Sequence, residues 1–421
     1  VFNSINIGKG ANSVAGNTVL GESALDDSVS GGNNTAIGKI ALTELTSGTK
    51  NVAVGQGALQ LTTTSHNNVA IGDLALQDNV TGSDNTAVGR RALTDNTASS
   101  NTAIGADALL ANTSGTGNTA LGQGSLQSNV TGQNNTAVGQ IALRDNTGSH
   151  NTAVGEEALK ENTSGASNTA VGRNVLRSNT TASNNTAIGD NSLLSNTTGT
   201  QNAACGSFAL SENTTASDNT GIGYQALKVN TTGSNNTALG HNCLVANTTG
   251  GVNTAVGANA LDANTTAGVN TAVGAFALSG TTTGGENTAV GYEALSISTD
   301  AGQCVAVGAY ALENNDTGDR CVAVGYKAGE ANLANDLVAV GYYAALKNTS
   351  GLRNTALGRQ ALSQNETGAD NIAIGYNTLY TNTASNNTAV GSTALTANTT
   401  GTQNVAVGTN ALDANTTASD N

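Results

Sequence analysis

The sequence predicts an all-β chain wound as a parallel β-solenoid of 16–17-residue coils, and three observations predict it. One unit recurs throughout: Asn-Thr-Ala-Val-Gly, two variable residues, Ala-Leu, two variable residues, then Asn-Thr-Thr-Gly and a polar spacer. Its marker Gly falls at Gly21, Gly38, Gly55, Gly72, Gly89, Gly105 and onward to Gly408, a spacing too short for a domain with its own core. Aromatic residues make up 3% and Met and Trp are absent, so the 421 residues hold too little bulk for ordinary globular cores. Pro is also absent, as an uninterrupted backbone ladder from coil to coil requires.

Taken in order, residues 1–16 are irregular, with Ile5-Asn6-Ile7-Gly8 as an imperfect first unit that is either a join to an upstream domain or a degraded coil. Residues 17–421 read as one continuous solenoid of about 24 coils. The chain opens without Met and stops at Asn421, the first residue of another repeat, so a window of a longer polypeptide is expected. Within each coil the Thr-Ala-Val-Gly segment keeps its length and carries an aliphatic residue before the Gly (Ile37, Val54, Ile71, Val88, Ile104, Leu121), which predicts a strand. Four spacings shrink to 16 residues, as from Gly89 to Gly105, and lose their residue in polar stretches such as 96–100, which marks a surface corner. Gly, at 53 residues, and Asn supply the positive-φ positions such corners need.

Strand alternation then assigns faces. The residue before the marker Gly is apolar in all 24 coils and the fourth after it is Leu in 22, so these two stripes are expected to form the interior. The Ala two before the Gly lies on the opposite strand face and is expected to pack against a close neighbour outside the coil. Two aliphatic side chains do not offset the ordering of a whole coil. The Ala face is therefore expected to meet identical chains around an axis, with a homotrimer favoured. Asn precedes Thr-Ala-Val-Gly in 21 coils, for example Asn85, Asn101, Asn118, Asn135, Asn151, Asn168 and Asn185, and stacked amides at that position predict a structural ladder or turn caps.

Charge and composition exclude several function classes. The net charge of −14 arises from a thin scatter, since 10% of residues are charged, and no Lys/Arg cluster suits nucleic-acid phosphates. No apolar run of about 20 residues is present for a membrane span, and no signal segment opens the chain. His66, His150 and His241 sit at unrelated repeat positions without a recurring nucleophile or carboxylate pair, so no catalytic site is expected. Neither a calcium-binding β-roll motif nor a zinc spacing occurs, so no metal and no cofactor is expected.

Three departures from the unit carry information. Cys304 and Cys321 replace the ladder Asn in consecutive coils, where parallel stacking at about 4.8 Å puts them within reach of a coil-to-coil disulfide or leaves two stacked thiols. Cys205 and Cys243 read as small buried residues. Phe208, Tyr224, Phe276, Tyr292, Tyr310, Tyr326, Tyr342, Tyr343 and Tyr376 all lie one or two residues after a marker Gly, forming a broken stripe for lateral packing between chains or for contact with a glycan or protein receptor. From 313 to 353 the unit loosens: Gly329 and Ala345 take the Leu position and Leu337 takes the ladder Asn, which reads as drift.

The Asn-Thr-Ala-Val-Gly, Ala-Leu, Asn-Thr-Thr-Gly unit resembles the repeats of long bacterial surface proteins and bacteriophage tail-fibre proteins. At slightly longer period it is similar to the head repeats of trimeric autotransporter adhesins. The resemblance covers residues 17 to 421 and implies a left-handed parallel β-roll in a three-chain rod, extracellular, on a cell surface or virion. The 17-residue period departs from the shorter adhesin-head period, and the chain contains neither a membrane-anchoring barrel nor a C-terminal fibre chaperone, which leaves cell or virion attachment open. The expected function is a non-catalytic structural fibre or shaft that spaces or presents a binding tip. A self-assembling filament with coil ends stacked between molecules is one rival, and a carbohydrate- or ice-binding repeat surface is another.

Overall fold

The computed structural model describes residues 6–421, so Ile5 of the imperfect first unit lies outside the described residues. Among these the chain is all-β, without an α-helix, and winds as a parallel β-solenoid with one three-residue strand per coil of about 17 residues. It divides into two compact units, the first ending at Thr215 and the second spanning Ala216–Asn421.

In the first unit, β1 (Asn6–Gly8) runs antiparallel to β2 (Thr18–Gly21), and a single 3-10 turn (Ala11–Ser13) joins them. From β2 to β13 (Ala203–Cys205) twelve strands follow in parallel, each in register with the next. Thr152, Ala153 and Val154, for instance, lie opposite Thr169, Ala170 and Val171. The second unit repeats this arrangement with twelve parallel strands from β14 (Thr220–Ile222) to β25 (Val405–Val407).

The coils bond to one another well beyond the strands. Thr152 N–H donates to the Asn168 carbonyl at 2.8 Å, Leu159 N–H to the Val175 carbonyl at 2.9 Å and Glu161 N–H to the Arg177 carbonyl at 3.0 Å. Nearly every segment of a coil thus spends its donors on its neighbour, and a Pro at any of these positions would orphan a carbonyl.

The strand faces are the reverse of those expected from the sequence. The Ala two before the marker Gly points inward and is fully buried, as at Ala153, whereas the aliphatic residue before the Gly points outward, Val154 being 36% exposed and Leu121 45%. The reason is width. A coil with a three-residue strand leaves room beside that strand for a methyl group, because Leu from the opposite wall fills the rest: Leu143, Leu159 and Leu176 are fully buried. Ala three after the Gly completes the wall, as at Ala142 and Ala158. Each such Leu sits in the left-handed region, Leu143 at φ 51° and Leu159 at φ 52°. That conformation costs about 1–2 kcal/mol, which burial of the side chain, worth about 1.5–3 kcal/mol, offsets.

The marker Gly is dictated by the coil above it. Gly155 has φ 137°, and a Cβ there would lie 2.2 Å from the Gly172 carbonyl oxygen. Gly139 and Gly223 repeat that approach, at 2.4 Å to the Gly155 oxygen and 2.2 Å to the Gly240 oxygen, which explains why no other residue occupies the position.

Candidate functional site

Two columns of buried Asn run through the interior. In the first, Asn101 N–H donates to the Asn85 side-chain oxygen at 2.9 Å, Asn118 to Asn101 at 3.0 Å, and Asn135 to Asn118 at 3.0 Å. Asn151, Asn168 and Asn185 continue it, each backbone N–H donating to the amide oxygen of the preceding coil at 3.0 Å. Each side-chain amide also holds the corner of its coil neighbour, as Asn151 Nδ2 donates to the Gly165 carbonyl at 2.9 Å. The second column, seven residues after the marker Gly, links side chain to side chain: Asn162 Nδ2 donates to Asn146 Oδ1 at 2.6 Å and Asn179 Nδ2 to Asn162 Oδ1 at 2.7 Å. Both columns supply buried polar groups with partners, which makes them architecture.

The second unit interrupts both. Thr281 and Ser298 replace Asn in the second column, and the oxygens of Asn264, Thr281 and Ser298 are buried without a partner. Cys304, Cys321 and Leu337 replace Asn in the first. The two cysteines are free and fully buried, with Cys304 Sγ 3.1 Å from the Gly318 carbonyl and accepting from Cys321 N–H at 3.4 Å. A hydrogen bond to the Cys321 sulfur, together with burial, holds the Cys304 thiol protonated well above the usual range. Leu337 is not drift: a Cβ on Gly329 would meet Leu337 Cδ2 at 3.0 Å, so Leu337 fills the space that the missing Leu side chain leaves. Cys243 is buried as expected, but Cys205 is exposed, because it stands in the outward aliphatic row.

The aromatic residues are brought together in part. Tyr224 stacks on His241 with centroids 5.5 Å apart. After a coil bearing Asn259, a row of ring contacts begins: Phe276 to Tyr292 at 6.2 Å, Tyr292 to Tyr310 at 5.4 Å, Tyr310 to Tyr326 at 5.9 Å, and Tyr326 to Tyr342 at 5.6 Å. Tyr343 packs against Tyr342 at 4.0 Å. Arg359 then bridges Tyr342 and Tyr376, its guanidinium 5.7 Å from each ring, and Lys327 lies 5.2 Å from the Tyr310 ring. Phe208 stands apart in the first unit, half-buried. Carboxylates flank the row. A hydrogen bond to Glu293 raises the Tyr292 phenol, while burial and then the neighbouring Glu330 and Glu293 raise Glu313.

The outward strand face is the feature the sequence reading missed. Each strand presents two residues to the outside, in most coils Thr or Val and then Val, Ile or Leu, with Ala203 and Cys205 in β13 and Ile372 in β23 as exceptions, and none of the residues in β2–β25 is charged. Thr occupies the first row without a break from Thr86 to Thr186 in the first unit and from Thr220 to Thr288 in the second. The available signal was invariance: the Ala position hardly varies while the aliphatic position changes freely among Val, Ile and Leu, as a crowded inside and a tolerant outside require.

His66, His150 and His241 are far apart in the chain and join no nucleophile or carboxylate pair, and the described residues hold no group of three His, Cys, Asp or Glu able to bind a metal ion. No helix is long and apolar enough to cross a membrane. No protein family matches the chain, and no curated protein does.

Proposed function

We propose that the chain is a non-catalytic structural element, the shaft of an extracellular fibre of the adhesin or tail-fibre kind, whose copies associate side by side through their outward strand rows. The observation that supports this reading is the uncharged outward face, Thr and aliphatic residues except at Cys205, repeated on twelve successive strands in each unit. Three-residue strands about 3.3 Å per residue wide and stacked about 4.8 Å apart give a strip of about 550 Å² per unit. Two facing strips remove about 1,100 Å² from water, at the lower edge of what specific protein interfaces use. Three copies turned toward a common axis cover the same rows, so this surface replaces the Ala face as the seat of a trimer.

Sedimentation equilibrium of the chain, beside a variant carrying Val154→Glu, Ile188→Glu, Val273→Glu and Val290→Glu, tests the proposal. Association of the parent chain and a folded, monomeric variant are expected. A parent chain that sediments as a monomer at tens of micromolar overturns the reading. Thermal hysteresis from that monomer would assign the Thr rows to ice instead.

A further inference from the structure

We infer that the ring row from Phe276 to Tyr376 is a binding track for an extended, uncharged polysaccharide of β-1,4-linked pyranoses. This reaches beyond the shaft reading and rests on a different surface, the corner one or two residues past the strand. The rings recur once per coil over seven consecutive coils, with Arg359 taking the ring position in the sixth. Tyr292, Tyr326, Tyr342 and Tyr376 remain 40–45% exposed despite their mutual contacts, so each keeps part of a face or an edge open. A partner that fits must itself repeat at about the rise of one coil, present an apolar face in each repeat and carry hydroxyl groups at its edges. A β-1,4-linked pyranose chain is such a ribbon: C–H faces lie on aromatic rings, while the hydroxyls find Tyr oxygens, Glu293, Glu313, Lys327 and Arg359 beside them.

Charge and shape separate this partner from its competitors. Two cations and three carboxylates lie along the row, close to balance, with Lys327 paired to Glu330 at 2.7 Å. Single-stranded nucleic acid uses the same stacking but needs a basic groove to follow its phosphates, and this row has none. A second copy of the chain would have to seal against rings that meet edge to face at 81–89° and leave a ridged profile, and it would desolvate the Lys327–Glu330 pair as well. The same coils carry every interruption of the first Asn column, Cys304, Cys321 and Leu337, while the second column is interrupted both here, at Thr281 and Ser298, and in the first unit, at Ser28, Leu45 and Thr62.

Affinity electrophoresis of the full chain through gels containing hydroxyethylcellulose or glycol chitin tests the inference, with oligo(dT) and polygalacturonate as charged comparisons. The comparison variant is Tyr292→Ala/Tyr326→Ala/Tyr342→Ala, with Phe208→Ala as the control outside the row and circular-dichroism melting to verify the fold. Retardation by at least one of the neutral polymers, weakened about tenfold or more in the triple variant and unchanged in Phe208→Ala, is expected. No retardation by either neutral polymer, equal retardation of the triple variant, or retardation by oligo(dT) alone overturns the track. A triple variant that is folded but sediments as a smaller species, with no glycan effect in the parent, also overturns it and assigns the rings to packing between copies. Sedimentation without polysaccharide tests the shaft reading separately, so either proposal can fail alone.

Discussion

The coils from Asn101 to Asn202 and those from Thr281 to Asn354 share a backbone and an inward row of Ala and differ in the Asn columns and the Leu stripe. In the first region both Asn columns are unbroken, every coil from Gly105 to Gly189 has its buried Leu, and no Phe or Tyr stands one or two residues after those marker Gly residues. In the second, Thr281, Ser298, Cys304, Cys321 and Leu337 replace column Asn, and Gly329 and Ala345 replace Leu. Yet Val305, Ala306 and Val307 still pair in register with Val322, Ala323 and Val324, as Thr152, Ala153 and Val154 do with their neighbours. What every coil retains is the inward small residue, the marker Gly and the coil-to-coil backbone bonds. The Asn columns are therefore exchangeable: Leu337 makes good the volume missing at Gly329, and at Thr281 and Ser298 the coil-to-coil ladder persists although their buried oxygens have no partner.

The largest effect is expected where nothing can be made good. Gly155→Ala forces a Cβ to 2.2 Å from the Gly172 oxygen at φ 137° and should cost about 4 kcal/mol or more. Gly408→Ala meets no atom within 4 Å and should cost about 1–2 kcal/mol, the backbone strain alone. Urea denaturation of the two variants measures the difference, and equal losses would show that the carbonyl approach is not what selects Gly.

The next contrast is a double-mutant cycle. Leu143 and Asn151 stand in the regular region where Gly329 and Leu337 stand in the irregular one, each pair eight residues apart across a 16-residue spacing. Asn151→Leu alone overpacks the coil and takes the Asn151 acceptor from the buried Asn168 N–H, at about 2–4 kcal/mol. Adding Leu143→Gly should return about 1–3 kcal/mol of that as coupling energy. Additive losses would mean that Leu337 and Gly329 are unrelated substitutions.

Thiol chemistry separates the regions at a smaller scale. With burial and the bond to Cys321 suppressing the Cys304 thiolate, peptide-resolved alkylation of the dissociated chain at pH 8 should label Cys205 first and leave Cys304, Cys321 and Cys243 unlabelled until the coils unfold. Early labelling of Cys304 or Cys321 would indicate that the irregular coils open independently.

The smallest effect is in pH. Glu313 has a folded pKa raised by burial and by Glu330 and Glu293, so its contribution turns favourable as pH falls through that raised value. Asp336 and Asp370 are lowered by Arg320 and Arg353, so theirs is present above the unfolded pKa and lost as pH falls through the folded value. The two trends oppose, and Glu313→Gln, which leaves the raised Asp78 and Asp262 in place, should remove part of the first and steepen the loss of melting temperature on acidification. A variant that melts like the parent at every pH would contradict the assignment.

The solenoid class, the coil length, the strand and the Asn column were legible because each is a periodic signal repeated two dozen times. The strand faces were not. Alternation says that Ala153 and Val154 point oppositely without saying which is inside, and hydrophobicity alone favours Val. The answer depends on the coil's inner width, which follows from the corner geometry and the Leu in the left-handed region. Leu337 was illegible for a related reason: its partner Gly329 is adjacent only once the coils are stacked. The ring row was visible as a stripe, but Arg359 joins it to Tyr376 only through the stacking of the folded coils.

The reversed strand face is the central claim, and the unfolding free energies of Ala153→Val and Val154→Ala test it most directly. With Ala inside and Val outside, Ala153→Val overpacks a filled interior and should cost about 1–3 kcal/mol, while Val154→Ala removes a part-exposed side chain and should cost under about 1 kcal/mol in the monomer. A Val154→Ala loss larger than that of Ala153→Val would put the aliphatic row back inside the coil and contradict the account.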